Sequence, residues 1–245
     1  MAENASSAVK SPESSESAAA PELDFSTVIA SSVHDMKNSL SMLLCTLDDI
    51  VGECDPAMCP ATAKFSQLQY EGQRVNNHLI QLLTIYKMGN AQSVANIAEQ
   101  YVDDFLDECA LQYEALLTPK GITIETDCEP GLVGYFDREL VSGVVNNVIN
   151  NAYRYSKDKI RLSGGREDGY VVISVEDNGG GYPSAMVCDS SQGNSGINFS
   201  TGSTGLGLYF SSLVATSHKN KALCGHIRCS NTGIDGGGRF SIYLP

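Results

Sequence analysis

The stretch NNVINNAYRYS, residues 146–156, carries three polar side chains at the spacing that a helix would bring together. Asn147 and Asn151 are four residues apart and Arg154 follows about one turn later, so a helix places all three on one face. An amide oxygen is a hard ligand that suits Mg²⁺ where phosphates and water supply the other oxygens. Asparagines on a helix surface are also ordinary, so the neighbouring segments must decide between the two interpretations. The opposite, inward face is predicted from four apolar residues: Leu140, Val144, Val148 and Ala152.

The next polar segment is EDNGGGYP, residues 176–183, which follows an apolar strand pattern. Asp177 stands at the end of that strand, where its carboxylate could accept a hydrogen bond from an exocyclic amine such as that of adenine. Gly179 and Gly181 would let the backbone approach a flat ring closely. The same segment would also serve as a simple glycine-rich turn after a strand.

A third segment, GSTGLGL at residues 202–208, leads into a helical pattern. Free N–H groups and the helix dipole at such a helix start attract phosphate. The segment is not GxxxxGK[ST], which excludes a P-loop. It does not follow a strand in a βαβ unit either, which excludes a dinucleotide-binding fold.

Helical and strand patterns alternate from about residue 91 to residue 245, with hairpin connections between strands. Residues 171, 173 and 175 are apolar at strand spacing and predict one buried face. The fold class predicted for this part is an α/β sandwich with one layer of helices on a mostly antiparallel sheet.

Residues 24–90 predict a different structure, an antiparallel helical hairpin. Apolar residues recur at steps of three and four in both halves, and Gly52, Pro56 and Pro60 break the pattern between them. Pairing two hairpins into a four-helix bundle would cover both apolar seams, so we expect a homodimer. The predicted seams are residues 25, 29, 33, 36, 40, 43, 47 and 50, followed by 65, 68, 72, 75, 79, 82 and 86.

Composition excludes several classes of function. The 245 residues carry a formal charge of −13 with only 16 Lys and Arg and no basic cluster, which argues against nucleic acid as the main partner. No run of 18 apolar residues and no secretory signal are present, so we expect a cytoplasmic protein without a membrane span. The eight scattered cysteines do not form a zinc pattern, and reduced thiols are expected. Residues 1–23 are rich in Ser, Ala and Glu and predict a disordered tail.

The three segments, in this order, resemble the ATP-binding domain of sensor histidine kinases, a Bergerat-type fold shared with gyrase and MutL. The resemblance covers residues 91–245 and ends in GGGRFSIYLP, which looks like the family's last strand. It implies ATP and Mg²⁺, with Asn151 as the metal ligand and Asn147 beside the attacking site. Residues 182–204 would form a mobile lid, with Phe199 as its aromatic anchor. The implied nucleotide contacts are Arg154 on phosphate, Tyr155 near adenine, Asp177 on adenine N6, Gly179 and Gly181 around the ring, and Gly202, Thr204, Gly205, Leu206 and Gly207 at the phosphates.

The segment HDMKNSL, residues 34–40, resembles the phosphoacceptor motif of the same family. The resemblance implies that His34 is phosphorylated, and Asp35 is expected to orient its imidazole by a hydrogen bond. Asn38, one turn after Asp35, is in the position associated with water activation against a phosphoaspartate. Ser39 replaces the family's kinking proline, so a straighter helix is expected. His218 is expected to be structural.

The expected function is therefore an ATP-dependent histidine kinase. It would autophosphorylate on His34 in a dimer and pass the phosphoryl group to a response regulator receiver domain. No sensor domain is recognisable, so a separate sensor protein is expected unless the chain is a fragment. One alternative is a non-catalytic phosphotransferase whose ATP domain is degenerate, although the Asn, Asp and Gly motifs look intact. Another is an anti-sigma serine kinase, but those lack the helical hairpin with its histidine.

Overall fold

Two long helices open the computed structural model, which describes residues 25–53, 62–89, 95–189 and 205–245. Helix α1 spans Phe25–Glu53 and helix α2 spans Thr62–Gly89. The link between them is much shorter than either helix, so the two run antiparallel. The predicted tail, residues 1–23, lies outside the described residues.

The two helices approach closely at a glycine. A Cβ on Gly72 would lie 2.6 Å from Cδ2 of Leu44, so the missing side chain makes room for that leucine. Leu44 and Leu47 are buried, whereas Leu43, which we predicted in the seam, is 57% exposed. The buried face of α1 therefore includes Leu44 and Leu47, and the predicted seam residue Leu43 is not part of it.

Six of the described strands form one sheet, in the order β2–β4–β5–β10–β9–β6. The strands β2 and β4 are parallel, and every other neighbouring pair is antiparallel. This agrees with the predicted mostly antiparallel sheet. In chain order the strands span Thr123–Cys128 (β2), Lys159–Glu167 (β4), Tyr170–Asp177 (β5), Cys188–Asp189 (β6), His226–Ser230 (β9) and Arg239–Leu244 (β10).

Three further helices share one hydrophobic core with this sheet. Val171, Ile173 and Val175 of β5 all belong to the core, as their spacing predicts. Helix α4 contributes Val144 and Val148 to it, again from the face that the sequence predicts to be inward. The three helices are α3 (Val102–Leu117), α4 (Arg138–Tyr155) and α5 (Gly205–Ser217).

Two short strand pairs were not predicted from the sequence. The strand β1 (Ala98–Tyr101) pairs antiparallel with β3 (Val133–Phe136), and β7 (Lys219–Asn220) pairs with β8 (Leu223–Cys224). Such strands are too short to show an alternating pattern, and only the pairing reveals them. Within the described ranges, no helix combines the length and the apolar character needed to cross a membrane.

Candidate functional site

The start of α4 is fixed by hydrogen bonds to Asp137. Oδ1 of Asp137 accepts from the backbone N of Leu140 at 3.0 Å, which caps the helix, and Oδ2 accepts from the backbone N of Asn96 at 2.7 Å. The backbone N of Asp137 donates to Nε2 of His218 at 3.0 Å, while Nδ1 of His218 lies 2.8 Å from the carbonyl of Val214. His218 is 1% exposed. It therefore has the structural surroundings that we expected, and it ties α5 to α4.

The end of α4 is fixed by Asn178, which the sequence analysis did not single out. Its Oδ1 accepts from the backbone N–H groups of Lys157, Asp158 and Lys159 at 3.1–3.2 Å. Its Nδ2 donates to the carboxylate of Asp158 at 2.7 Å. Asn178 is buried and directly follows Asp177, so it anchors the end of β5 to the end of α4. A buried Asn beside a conspicuous Asp carries no sequence signal of its own.

Asp177 lies in a nest of backbone groups. Its Oδ1 accepts from the backbone N of Gly179 at 2.7 Å and approaches the backbone N of Gly238 at 3.4 Å. A Cβ on Gly179 would lie 2.2 Å from the carbonyl oxygen of Tyr155, and a Cβ on Gly237 would lie 2.1 Å from that of Asp177. These glycines are therefore required by close backbone approach, which holds one carboxylate oxygen in place.

Gly181 is required for a different reason. Its φ is +74°, a conformation that side chains disfavour, and a Cβ there would also lie 2.8 Å from Oδ1 of Asn231. Asn231 accepts from the backbone N of Tyr182 and donates to its carbonyl. Gly181 thus shapes the turn that leaves the sheet, toward the predicted lid.

Five of the predicted nucleotide residues line one cavity of about 80 Å³. They come from α4 and from the first turn of α5, which the core packs side by side. A Cβ on Gly207 would lie 2.5 Å from Nδ2 of Asn147, so this glycine lets α5 meet the asparagine face. The five residues are Asn147, Asn151, Arg154, Tyr155 and Gly207.

The remaining predicted residues either do not line this cavity or lie outside the described residues. Gly205 and Leu206 open α5 next to Gly207. Asp177, Gly179 and Gly181 lie at the end of β5 and do not line this cavity. Gly202, Thr204, Phe199 and most of the predicted lid fall at residues 190–204, outside the described residues.

Helix α2 lines the other side of the same cavity, which we did not predict. Tyr70, Arg74, Asn77 and His78 face α4 there, and they recur at helical spacing. Burial lowers the pKa of His78, and the charge of Arg74 acts in the same direction. The polar stripe on α2 is present in the sequence, but its spacing does not show which surface it contacts.

Hydrogen bonds and a ring contact attach α2 to α4; among them, the hydroxyl of Tyr70 donates to the carbonyl of Asn150 at 3.4 Å. Nε2 of Gln81, which is 3% exposed, donates to Oδ1 of Asn147 at 3.1 Å. The ring of Tyr70 packs on the ring of Tyr153 with centroids 4.4 Å apart. Burial raises the pKa of Tyr70, and the nearby guanidinium groups of Arg154 and Arg74 partly oppose this. The hairpin therefore contacts Asn147, which the resemblance predicts to lie beside the attacking site.

His34 lies on the exposed surface of α1, with 57% of its side chain accessible. Its Nδ1 lies 3.2 Å from the carboxamide of Asn38, four residues on. Asp35, which we expected to make this hydrogen bond, has Oδ1 at 3.8 Å from Nδ1, too far for one. Residues four apart share a helix face whereas adjacent residues do not, so Asn38 makes the contact instead. At Ser39 the hydroxyl bonds the carbonyl of Asp35 at 2.9 Å, and α1 continues unbroken.

The donors around the cavity suit the phosphates of a nucleotide. Arg74, Arg154 and carboxamides line it, and no carboxylate does so among the described residues. Nε of Arg74 is buried and has no hydrogen-bond partner in the described part of the chain. A cavity lined by two arginines and by no acid within the described residues fits an anionic ligand.

Comparisons with known proteins show which family and which relatives this chain is similar to. Residues 136–245 match the family described as Histidine kinase-, DNA gyrase B-, and HSP90-like ATPase. The adaptive-response sensory kinase SasA of Crocosphaera subtropica is 28% identical over 74% of this chain and 50% of its own length. The sensor protein PhoQ of Escherichia coli O157:H7 is 25% identical over 65% of this chain and 32% of its own length. The chain thus spans about half the length, or less, of these curated relatives.

Two solved structures share the fold. The histidine kinase AdeS of Acinetobacter baumannii superposes with a TM-score of 0.56 at 22% identity, covering 86% of this chain and 96% of its own. Full-length ShkA in complex with AMPPNP gives a TM-score of 0.59 at 18% identity, covering 89% of this chain and 45% of its own. At these identities the likeness concerns the fold alone.

Proposed function

We propose, from the premise that this chain is a relative of the sensor histidine kinases, that it is an ATP-dependent histidine kinase acting on itself. It would phosphorylate His34 and pass the phosphoryl group to an aspartate of a separate response regulator. The observation that carries the proposal is the cavity in which Asn147, Asn151, Arg154 and Gly207 meet. An exposed histidine on the attached hairpin supplies the acceptor.

The proposed division of the chain follows from the two kinds of structure. Residues 24–90 would form the dimerisation and phosphoacceptor hairpin, and residues 91–245 the ATP-binding domain. In a homodimer, two hairpins would form a four-helix bundle that covers the exposed residues Met36, Leu43 and Val75. The signal would come from a separate sensor protein or from further parts of a longer chain.

Each residue of the site has a proposed role. Asn151 would hold Mg²⁺ through its amide oxygen, and the ion would neutralise phosphate charge during transfer. Asn147 would lie beside the transferred group, and Arg154 would bind the phosphates. Tyr155 and Asp177 would contact adenine, with Asp177 held by Gly179 as described. Gly202, Thr204, Gly205, Leu206 and Gly207 would approach the phosphates through their backbone.

The contact with Asn38 suggests how His34 becomes a nucleophile. A carboxamide can be turned so that its oxygen accepts from Nδ1–H of the imidazole. That tautomer leaves the lone pair of Nε2 free to attack phosphorus. Asp35 would then act through its charge, which opposes the positive charge that develops on the ring as Nε2 bonds to phosphorus. When the ring carries no phosphate, Asn38 would position water against the regulator's phosphoaspartate, giving a phosphatase activity.

The test is incubation of the full chain with γ-labelled ATP, followed by acid treatment. Acid-labile, alkali-stable label is expected on the wild-type chain and should be lost in His34→Gln. Met42→Gln, a change at an exposed position on the same helix, should retain the label. Label that persists in His34→Gln would contradict the acceptor assignment. A wild-type chain with no measurable ATP affinity would instead favour the non-catalytic phosphotransferase.

A further inference from the structure

Helix α2 brings a cation to the predicted nucleotide site. Arg74 lines the same cavity as Asn147, Asn151 and Arg154, although it belongs to the hairpin and not to the ATP-binding region. We infer that Arg74 binds the phosphates of the nucleotide and completes a site that α4 and α5 form only in part. The inference rests on the proposed function, because it concerns the ligand of that same cavity.

The hydrogen bonds of Arg74 leave it available for such a ligand. A guanidinium has five N–H donors. One nitrogen, Nη1, pairs with the carboxylate of Glu71 at 2.8 Å. Nε is buried and has no partner within the described residues. A guanidinium has more N–H groups than those that pair with Glu71, and these can donate to phosphate oxygens in the cavity.

The charges around the cavity point to an anion. Arg74 and Arg154 line the same cavity, and the charges of both lower the pKa of Tyr70 against the larger effect of its burial. Glu71 pairs with Arg74 but does not line the cavity, and no other described acid lines it. In a chain with a net charge of −13, two arginines facing one small cavity are a local exception. Polyphosphate satisfies both, since guanidinium groups match its oxygens in geometry and charge.

The consequence is a direct link between the hairpin and nucleotide affinity. Arg74 reaches the cavity only while Tyr70 packs on Tyr153 and Gln81 contacts Asn147. Within the described residues, the interface also contains buried acceptors without partners on Gln81 and Asn146, and these lower its stability. Such an interface can open at little cost. Movement of α2 would therefore change how tightly the triphosphate binds, without any change within α4 or α5.

Calorimetry on the full chain, with a nonhydrolysable ATP analogue and with adenosine, tests the inference. Arg74→Gln should weaken the triphosphate by roughly 10- to 100-fold, as expected for one charge-assisted hydrogen bond, and leave adenosine affinity unchanged. Glu71→Gln should act in the opposite direction, tightening the triphosphate roughly twofold to fivefold, because it frees the guanidinium.

The matched control is Lys87→Gln, which removes the same charge from an exposed position in the last turn of α2. It should leave both affinities unchanged. The inference is overturned if Arg74→Gln binds the triphosphate as the wild type does, or if it loses adenosine to the same extent. A wild-type chain that binds neither ligand would refute the proposed function itself, which is a distinct result.

Discussion

The α/β region and the helical hairpin differ in how far their large apolar side chains are buried. In the α/β region, residues such as Phe105, Leu162 and Ile242 are at most 1% exposed and belong to one shared core. In the hairpin, large apolar side chains stay accessible at seven-residue spacing on both helices. These are Met36, Leu43 and Ile50 on α1, and Leu68, Val75 and Leu82 on α2.

This difference indicates whether each region can bury its apolar surface within one chain. A sheet with helices packed on it buries its apolar surface within one chain. Two helices alone bury only the stripe between them, and the second stripe stays in contact with water until another surface covers it. The α/β region should therefore fold by itself, whereas the hairpin should depend on a partner.

The largest expected effect is on the free energy of unfolding, when a buried leucine is replaced by alanine in each of the two regions. Leu162→Ala removes a side chain that is fully buried in β4 opposite Val175, and should lower the free energy of unfolding by about 4 kcal/mol. Leu44→Ala, in the hairpin, should cost about 2 kcal/mol, because its site is next to Gly72 and can collapse more easily. Urea denaturation followed by circular dichroism measures both. Equal losses would show that the two regions are packed alike.

A second prediction concerns the exposed stripe on the hairpin. Leu43→Glu places a charge within the stripe and should convert the proposed homodimer to monomer, raising the dissociation constant at least about tenfold. Met42→Glu makes a similar change at the adjacent position, 73% exposed and outside the stripe, and should leave the dimer intact. Sedimentation equilibrium separates the two. A dimer that survives Leu43→Glu would remove the proposed role of this stripe.

The smallest expected effect is a pH dependence in the α/β region. Burial lowers the pKa of His218 below its ordinary 6.5, so the folded chain holds this ring neutral while the unfolded chain protonates it. Stability is then greatest above pH 6.5 and falls as the pH drops, with one proton setting a slope of at most about 1.4 kcal/mol per pH unit.

The His218→Gln variant tests this assignment by urea denaturation on both sides of pH 6.5. It should be less stable than the wild type at neutral pH and should show a shallower pH dependence. His78, whose pKa is also lowered, contributes a separate share that His78→Gln should remove. An unchanged slope in His218→Gln would mean that another group causes the dependence.

Much of the fold was predictable because its signals are local. The spacing of Asn147, Asn151 and Arg154 predicts one helix face, and the structure places all three in one cavity. The alternation at Val171, Ile173 and Val175 predicts the buried face of β5.

Other features depend on contacts between distant segments. Asn178 holds the end of α4 through three backbone N–H groups, yet nothing in its neighbourhood marks it for that role. Asn38, and not Asp35, lies within hydrogen-bond distance of His34. Helix geometry predicts this contact, because residues four apart share a face. The position of Gln81 against Asn147 could not be predicted in this way, because it joins residues 66 apart in the chain.

The sequence by itself determined the two kinds of structure in this protein and the residue types of a nucleotide site. Periodicity and glycine placement are properties of a few neighbouring residues, so they can be recognised from the sequence alone. Only the tertiary structure decided which face of α2 meets α4, and therefore that Arg74 joins the cavity. The physical reason is that docking between helices depends on complementary surfaces from separate parts of the chain, which no local pattern records.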